Sequence, residues 1–183
     1  MARFSKSDWL ETGLQLLSKN GPEAIRIELL CEAAKRTKGS FYHHFTNRAA
    51  FVSALIKHWQ DSRTKDIISK TNAGANDPRQ RLEDLGLNVL QADGDLENAI
   101  RRWSAVDQDV AKVVREVDTQ RVNYIAELLA ELYRLDRQTA DDLALVQYTV
   151  FVGMLMVGTI GKTDRRAKLG KLLSKMSDST FGH

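Results

Sequence analysis

The side chains with the most capacity for specific chemistry are concentrated between Arg26 and Arg48. One short segment there brings together side chains that can all donate hydrogen bonds: Lys38, Ser40, Tyr42, His43 and His44. A helix predicted over residues 27–34 precedes this segment across a short turn. Helix, turn and short helix in this order are typical of a helix-turn-helix, whose second helix enters the major groove of DNA. The spacing therefore predicts a reading helix over about residues 38–45.

Two aromatic residues give this short helix an inner face. Phe41 and Phe45 are four residues apart, so they share one side of a helix. We expect them to hold it against the first and fourth helices, which leaves the donor face open to a partner. Thr37 is expected to cap the helix by accepting a backbone N–H. Gly39 lowers intrinsic helix stability, and its place in the first turn is explained if the backbone there meets a phosphate.

Other reactive side chains favour no metal or phosphate site. Cys31 falls on the apolar side of its predicted helix, where a free cysteine is usually core. His43 and His44 are adjacent, so their side chains point about 100° apart on a helix and would chelate a metal poorly. Residues 158–163 resemble the end of a phosphate-binding loop, but Met156 stands where that motif needs glycine. We therefore expect no metal and no cofactor.

The elements that must position these side chains are helices. Apolar residues recur at helical spacing almost everywhere, and no segment alternates for long enough to be a strand. We predict an all-α fold of about nine helices. Asn20-Gly21-Pro22 ends the first, because glycine can take the left-handed cap and proline cannot continue a helix. The predicted helices cover about residues 5–19, 27–34, 38–45, 48–69, 78–92, 96–105, 108–134, 138–161 and 164–176.

The chain is expected to divide into two domains. The small, polar segment from Thr71 to Pro78 is the best candidate for a linker. We place a helix-turn-helix domain at residues 1–60, with its motif at about 27–46. A larger helical domain is expected at residues 61–183.

Charge separates the two ends of this 183-residue chain. Residues 1–70 carry 12 Lys and Arg against 7 Asp and Glu, whereas the remainder has a net charge of −2, so the total is +3. A basic N-terminal end favours a polyanionic partner there. The single cysteine excludes an intrachain disulfide, and the N-terminus shows no apolar signal-peptide core, so we expect a cytoplasmic protein.

Leu143–Gly161 is a run of 19 residues without a charge. Three interpretations are open: a helix buried in a subunit interface, ordinary monomer core, or a membrane span. The length is at the short end for a span, and Gln147, Thr149 and three glycines argue against one. A helix that is apolar on nearly all sides needs partners on every side. In a chain this small, we expect a second subunit to supply them, and no membrane association.

A second set of side chains could line a cavity or could be plain core. Arg121 interrupts the apolar face of its predicted helix, and a buried arginine needs a partner. Asp118 is the local candidate, with an acidic ligand as the alternative. A pocket lined in this way would favour an apolar effector of modest size. The candidate lining residues are Trp103, Arg121, Tyr124, Leu128, Tyr148, Phe151 and Met154.

A known signature matches the donor-rich block. The sequence Thr37-Lys38-Gly39-Ser40-Phe41-Tyr42-His43-His44-Phe45, followed by Asn47-Arg48, resembles the DNA-binding signature of the TetR family of bacterial transcriptional repressors. Upstream, Arg26-Ile27-Glu28 fits the same pattern. The resemblance covers about residues 4–60, and residues 61–183 are similar only in helical layout.

The resemblance implies a homodimer that presents one short helix to each half of an inverted-repeat operator in double-stranded DNA. It implies a C-terminal domain that dimerises through its last two helices and binds a small-molecule effector of unknown identity. Effector binding would move the fourth helix and release the DNA. Lys38 and His43 would be better placed for base edges, with Thr37, Tyr42 and His44 on phosphates. The full set carried over to DNA is Arg26, Thr37, Lys38, Gly39, Ser40, Tyr42, His43, His44 and Arg48.

The turn departs from the family's pattern, which commonly has glycine and then valine where this chain has Lys35 and Arg36. If Lys35 is forced into the left-handed region, it destabilises the fold by roughly 1 kcal/mol. The alternative is a rebuilt turn in which both cations add phosphate contacts.

Three classes of function remain. The leading one is a DNA-binding repressor that an effector releases from its operator. The second is a DNA-binding protein of the same fold without a small-molecule ligand, controlled by a protein partner. The third is an enzyme, and no nucleophile–base pair, usable carboxylate pair or metal triad in the sequence supports it.

Overall fold

The computed structural model describes residues 4–74, 76–157 and 163–182, and every regular element in them is helical. The all-α prediction is confirmed. If α4, a π-helical turn at Asp61–Lys65 and α5 are counted as one run, the described residues contain nine helices, together with a 3₁₀ turn at Pro22–Ala24. The helices are α1 (Lys6–Asn20), α2 (Ile27–Ala34), α3 (Lys38–Tyr42), α4 (Arg48–Gln60), α5 (Asp66–Gly74), α6 (Pro78–Gln91), α7 (Gly94–Ser104), α8 (Gln108–Tyr133), α9 (Arg137–Met156) and α10 (Thr163–Phe181).

Helix ends follow the local signals in the sequence. Thr37 accepts a backbone N–H at the start of α3, Asn47 does so at α4 and Asp107 at α8. Each cap satisfies a donor that the helix itself cannot bond. Gly21 follows α1 with φ 75°, and its N–H donates to the Leu17 carbonyl at 2.9 Å. This backbone conformation is one that glycine adopts readily.

The contacts divide the chain into two compact units. The first comprises Met1–Ser62 and Asp93–Arg115. In it, α1 packs against α2, α4 and α7. The sequence placed α7 in the C-terminal domain, but its apolar face, with Leu96, Ile100 and Trp103, is buried in the first unit. Asp93 also accepts a hydrogen bond from Ser18 Oγ at 2.7 Å, which ties the start of α7 to α1.

Close packing of α1 against α4 depends on a glycine. A Cβ built on Gly13 would lie 2.7 Å from Phe51 Cζ and 2.9 Å from Leu55 Cδ1. Both of those side chains are fully buried. The missing side chain at Gly13 therefore sets how near the two helices can come.

The second unit comprises Arg63–Ala92 and Glu116–His183. One part of its core forms where α8 meets α9, around Ala126, Leu129, Tyr133, Ala140 and Ala144. Its last described helix, α10, packs against α6 and α9.

The linker expected at Thr71–Pro78 is wrong over its first half. Helix α5 continues to Gly74, and Thr71 is only 1% exposed. The hydroxyl of Thr71 donates to the Ile67 carbonyl at 2.9 Å, so this polar side chain is satisfied inside its own helix. Small polar residues favour irregular chain, whereas here residues 71–74 continue the helix.

Helix α9 carries the uncharged run. One side is buried in the second unit through Ala144, Tyr148 and Leu155. The other side exposes large apolar side chains that are 37% to 55% exposed, namely Leu145, Val146, Val150 and Met156. Residues 158–161 of the run, and most of the loop-like segment 158–163, lie outside the described residues. No described helix has the length and apolarity needed to cross a bilayer.

Candidate nucleic-acid interface

The inner face of α3 is aromatic, as predicted. Phe41 is fully buried, and its ring lies edge-on to Trp9 of α1 at 5.4 Å and near Phe51 of α4 at 5.5 Å. Phe45 follows the helix and packs edge-on to Phe51 at 4.9 Å. These contacts hold the short helix in place, because five residues do not form a stable helix alone.

The outer face of α3 carries the donors. Lys38, Tyr42 and His43 are exposed, and Tyr42 keeps 52% of its surface accessible. Helix α3 ends at Tyr42 rather than continuing to Phe45, so His43 and His44 lie in the turn that follows. A side chain at Gly39 would meet only Thr37 Oγ1, at 3.8 Å. The protein itself therefore has room for alanine at position 39.

The turn between α2 and α3 has the left-handed backbone conformation that the glycine common in the family would adopt. Lys35 takes the left-handed conformation, with φ 52° and ψ 47°. Its N–H donates to the Glu32 carbonyl at 3.0 Å, and the Arg36 N–H donates to the Cys31 carbonyl at 2.9 Å. This pair of bonds is the Schellman arrangement that ends many helices. The first of the two alternatives for the turn is therefore confirmed, with a lysine in a position that favours glycine.

Lys38 has a partner within the protein. Its Nζ lies 2.5 Å from Glu28 Oε1 of α2, and both side chains are more than half exposed. The hydrogen bond from Lys38 holds the pKa of Glu28 below its ordinary value, and the same bond raises the pKa of Lys38. Any contact between Lys38 and DNA must compete with this pair.

Three of the expected DNA ligands also bond to backbone carbonyls of the protein. The Arg48 Nε donates to the Ile25 carbonyl at 2.6 Å, although the residue is exposed. The His44 Nε2 lies 3.2 Å from the Phe4 carbonyl, and this histidine is half-buried. Arg26, at the start of α2, is exposed and donates through Nε to the Glu23 carbonyl. These bonds orient the three side chains before any partner is present.

The N-terminal residues before α1 belong to this surface, which the sequence did not predict. The Phe4 ring lies edge-on to Trp9 at 5.3 Å, and the Arg36 guanidinium lies over it at 4.9 Å. The Lys6 ammonium lies 5.5 Å from the centre of the Phe45 ring. Aromatic rings next to cations were the available signal, but nothing in the spacing indicated that Phe4 lies against Arg36 and Lys6 against Phe45.

The remaining reactive side chains match the expectations for core. Cys31 is buried, and burial raises the pKa of its thiol, which disfavours the reactive thiolate. The rings of His43 and His44 are edge-on, 4.9 Å apart. Across the described ranges, no three His, Cys, Asp or Glu side chains form a group that could hold a metal ion.

The side chains predicted to line a pocket are divided between the two units. Trp103 is buried in the first unit, whereas the other candidates belong to the second. Tyr148 and Phe151 pack ring to ring at 6.1 Å, and Met154 is buried. The predicted set therefore includes ordinary core residues, as the alternative interpretation allowed.

Arg121 belongs to a polar network inside the second unit. Its Nε donates to Thr64 Oγ1 at 3.1 Å, and its Nη2 donates to the Arg63 carbonyl at 3.3 Å. The Tyr148 hydroxyl lies 3.4 Å from Arg121 Nη1 and donates to Asp118 Oδ1 at 2.6 Å. Arg121 thus holds the π-helical turn, where a carbonyl is left without its usual helical partner. Asp118 is connected to Arg121 through the tyrosine.

A cavity of about 290 Å³ opens in the second unit, and its lining is largely polar. Two predicted residues, Tyr124 and Leu128, are in its wall. The other lining residues are Asn72, Asn76, Arg81, Glu127 and Glu131. This lining is more highly charged than the predicted set, in which Arg121 was the single charged residue, because charged side chains of α6 and α8 line the cavity.

Comparison with known proteins finds a family model that matches the segment carrying the hydrogen-bond donors. Residues 10–55 match the model for bacterial regulatory proteins of the TetR family. This segment of the chain carries the N-terminal sequence pattern of the TetR family. The matched segment begins in α1 and ends in α4, so it contains α2, the turn and α3.

Two curated relatives are similar to this chain. The transcriptional regulator AcuR of Cereibacter sphaeroides is 36% identical over 56 residues, which are 31% of this chain and 26% of AcuR. The HTH-type transcriptional repressor KstR2 of Rhodococcus jostii is 26% identical over 133 residues, which are 71% of this chain and 60% of KstR2. The chain therefore spans less than two thirds of the length of either relative.

Solved structures show the same fold over nearly the whole chain. A TetR transcription regulator from Haloarcula marismortui superposes with a TM-score of 0.78 at 14% identity and covers 95% of this chain and 96% of its own. The reduced form of Escherichia coli NemR has a TM-score of 0.73 at 17% identity, with 93% and 95% covered. The TetR-family fold thus extends through α10, beyond the segment that the family model matches.

Proposed function

We propose that this chain is a TetR-family transcriptional repressor that binds an inverted-repeat operator as a homodimer and is released by a small-molecule effector. One observation carries the proposal. Helix α3 is held from behind by buried Phe41, and its exposed side presents Lys38, Tyr42 and His43. A short helix fixed in this way, after a tight turn, has the geometry that places side chains in a major groove.

The donors are assigned by their position on this surface. Lys38 and His43 read base edges, while Thr37, Ser40 and Tyr42 contact the sugar–phosphate backbone near them. Arg26, Arg48 and His44, which are pre-oriented by bonds to backbone carbonyls, contact phosphates at the edges. At Gly39 the absence of a side chain lets the backbone approach a phosphate. Phosphate contacts set the register, and only the base contacts specify sequence.

The exposed apolar side of α9 is the argument for a second copy of the chain as the partner. Leu145, Val146 and Val150 lie on one side of that helix, and α10 adds exposed Leu172 and Met176 beside it in the same unit. Contiguous apolar surface of this kind marks an interaction site. An isologous pair built on these two helices would place two reading helices on one operator.

The polar cavity in the second unit is the effector site in this proposal. For an effector to release DNA, it must bind the conformation that does not bind DNA more tightly, because equal affinity for both shifts nothing. If no ligand of this cavity changes operator affinity, control by a protein partner is the preferred alternative.

Selection of bound sites from random double-stranded DNA tests the proposal. We expect an inverted repeat whose half-site centres are about 34–36 Å apart, one helical turn of DNA. Lys38→Ala should lose discrimination at one base pair in each half-site, by about 1–3 kcal/mol. Lys112→Ala removes an exposed lysine from α8 and serves as the matched control. Failure to enrich any sequence, or loss of specificity only in the control, would contradict the proposal.

A further inference from the structure

The cavity in the second unit has a charge pattern that limits what it can bind. Glu127 and Glu131 lie one turn apart on α8, and Arg81 of α6 faces them. Arg81 Nη2 donates to Glu131 Oε2 at 2.7 Å and lies 3.3 Å from the Asn76 carbonyl. The Arg81 guanidinium thus balances the charge of the Glu131 carboxylate. The charge of the second carboxylate, Glu127, is not balanced by it.

Glu127 is the carboxylate left over. Within the described ranges it forms no ion pair at bonding distance. Arg137 acts on it electrostatically, but the Arg137 Nε donates to Asp141 at 2.8 Å. The lining therefore has a net charge of −1, from Arg81, Glu127 and Glu131 together. A cation of matching size is the favoured occupant.

The opposite part of the wall supplies hydrogen-bond donors. Tyr124 is 7% exposed, and its hydroxyl donates to Asn72 Oδ1 at 2.7 Å. Burial raises the pKa of Tyr124, so the hydroxyl keeps its proton at neutral pH. Because the Asn72 oxygen is occupied, its amide N–H groups are the part that a ligand can use.

We infer that this cavity binds a small ammonium compound that also carries a hydroxyl or carboxylate oxygen. The ammonium group pairs with Glu127, and the oxygen accepts from the Asn72 amide. A volume of about 290 Å³ suits a compound smaller than a drug-sized ligand. Buried Leu128 contacts the carbon chain between the two polar ends. The inference names the effector class of the proposed repressor, and rests on that function for its effect on DNA.

Calorimetry on the full chain tests the binding. The probes are ethanolamine, putrescine and γ-aminobutyrate, with butanediol and butyrate as matched compounds that lack the ammonium group. We expect ethanolamine or γ-aminobutyrate to bind more tightly than either butanediol or butyrate, with putrescine weaker because it lacks the oxygen. Equal binding of butanediol and ethanolamine, or no binding by any amine, would overturn the inference.

Two variants assign the binding to this cavity. Glu127→Gln removes the charge with little change in shape, and should weaken amine binding by at least about tenfold. Glu116→Gln removes an exposed carboxylate earlier on α8 and should leave binding unchanged. Unfolding temperatures without probe show whether Glu127→Gln is folded, and Tyr124→Phe gives a second loss-of-binding variant if it is not. Unchanged affinity in folded Glu127→Gln and Tyr124→Phe would place the ligand elsewhere and overturn the inference.

Operator binding, measured in parallel, separates the two proposals. If the amine binds and Glu127→Gln abolishes binding, the inference holds whatever the DNA result. If the chain selects no operator, the proposed function fails while the cavity's ligand class stands. If an operator is bound and no amine binds, the function stands and the inference fails.

Discussion

Lys38 has two competing partners in the proposed mechanism: Glu28 in the free protein and a base edge in the complex. The 2.5 Å contact with Glu28 must break before Lys38 can reach DNA. Both side chains are exposed, so the pair itself is weak. Its importance is for recognition, because Glu28 holds the lysine and also repels phosphates.

Glu28→Gln is therefore expected to strengthen operator binding by a few-fold and to reduce discrimination between sequences. The amide no longer holds Lys38 as an ion pair, so less interaction is lost on binding. Glu32→Gln, also exposed on α2, removes the same charge without changing the partner of Lys38. Titrations of labelled operator at fixed salt measure the difference. Equal gains for both variants would show that only net charge matters.

The left-handed residue at the turn can be tested by substitution. Lys35→Gly is expected to raise the free energy of unfolding by up to about 1 kcal/mol, since glycine adopts this conformation without steric cost. It should also weaken DNA binding slightly through loss of a cation. Arg134, with φ 56°, gives the control: Arg134→Gly should stabilise the fold similarly and leave DNA binding unchanged. Urea denaturation measures the stability, and a loss of stability in Lys35→Gly would refute the prediction.

At the scale of elements, the spacing between α1 and α4 depends on Gly13. Gly13→Ala should lower the free energy of unfolding by about 1–3 kcal/mol, because the new methyl group overlaps buried Phe51 and Leu55. Gly86→Ala on α6 is the matched control, since nothing lies within 4 Å of its Cβ. That change should stabilise the helix by about 0.5–1 kcal/mol. Thermal unfolding of both variants gives the comparison, and stabilisation by Gly13→Ala would contradict the packing described.

Helix α10 is held to α6 and α8 by one polar cluster. The Tyr133 hydroxyl donates to Asp178 Oδ1 at 2.8 Å, and Arg79 Nη1 lies 2.9 Å from the same oxygen. These bonds lower the pKa of Asp178, with the tyrosine the larger cause. Burial, followed by the bond to Asp178, raises the pKa of Tyr133 from its usual 10.0 to about 12.

The cluster predicts a loss of stability at alkaline pH. The raised pKa of Tyr133 means that its contribution is fully present below pH 10.0 and is lost as the pH rises to about 12. Urea denaturation across this window should show a steeper fall in the free energy of unfolding for the wild type than for Tyr133→Phe. Tyr42→Phe, in an exposed tyrosine, should retain the wild-type slope. Identical slopes for wild type and Tyr133→Phe would refute this account.

At the scale of the whole molecule, the proposed dimer would form through the exposed apolar side chains of α9 and α10. Val146→Glu combined with Leu172→Glu should convert the dimer to a monomer, because two buried carboxylates per subunit would lack partners. Operator affinity should fall with it, since one reading helix replaces two. Leu87→Glu changes a 58% exposed leucine on α6 and should leave the dimer intact. Sedimentation equilibrium measures the mass, and a wild-type chain that is monomeric at all concentrations would refute the prediction.

Much of the fold could be predicted because its signals are local. Helical spacing, Gly21 after α1 and the caps at Thr37 and Asn47 depend on residues a few positions apart. The inner face of α3 was predictable for the same reason, since Phe41 and Phe45 are one turn apart. The sequence alone therefore determined the helix order and the position of α3, and its resemblance to the TetR family agrees with the family model that matches residues 10–55.

Tertiary structure decided the features that depend on distant residues. The Lys38–Glu28 pair, the contact of Arg36 with Phe4 and the return of α7 to the first unit join segments whose spacing carries no periodic signal. The cavity differs most from its prediction, since Arg81 and Glu131 are 50 residues apart in the chain yet 2.7 Å apart in space. Periodicity tells which face of a helix is apolar, but only packing determines which charged side chains of two helices face each other.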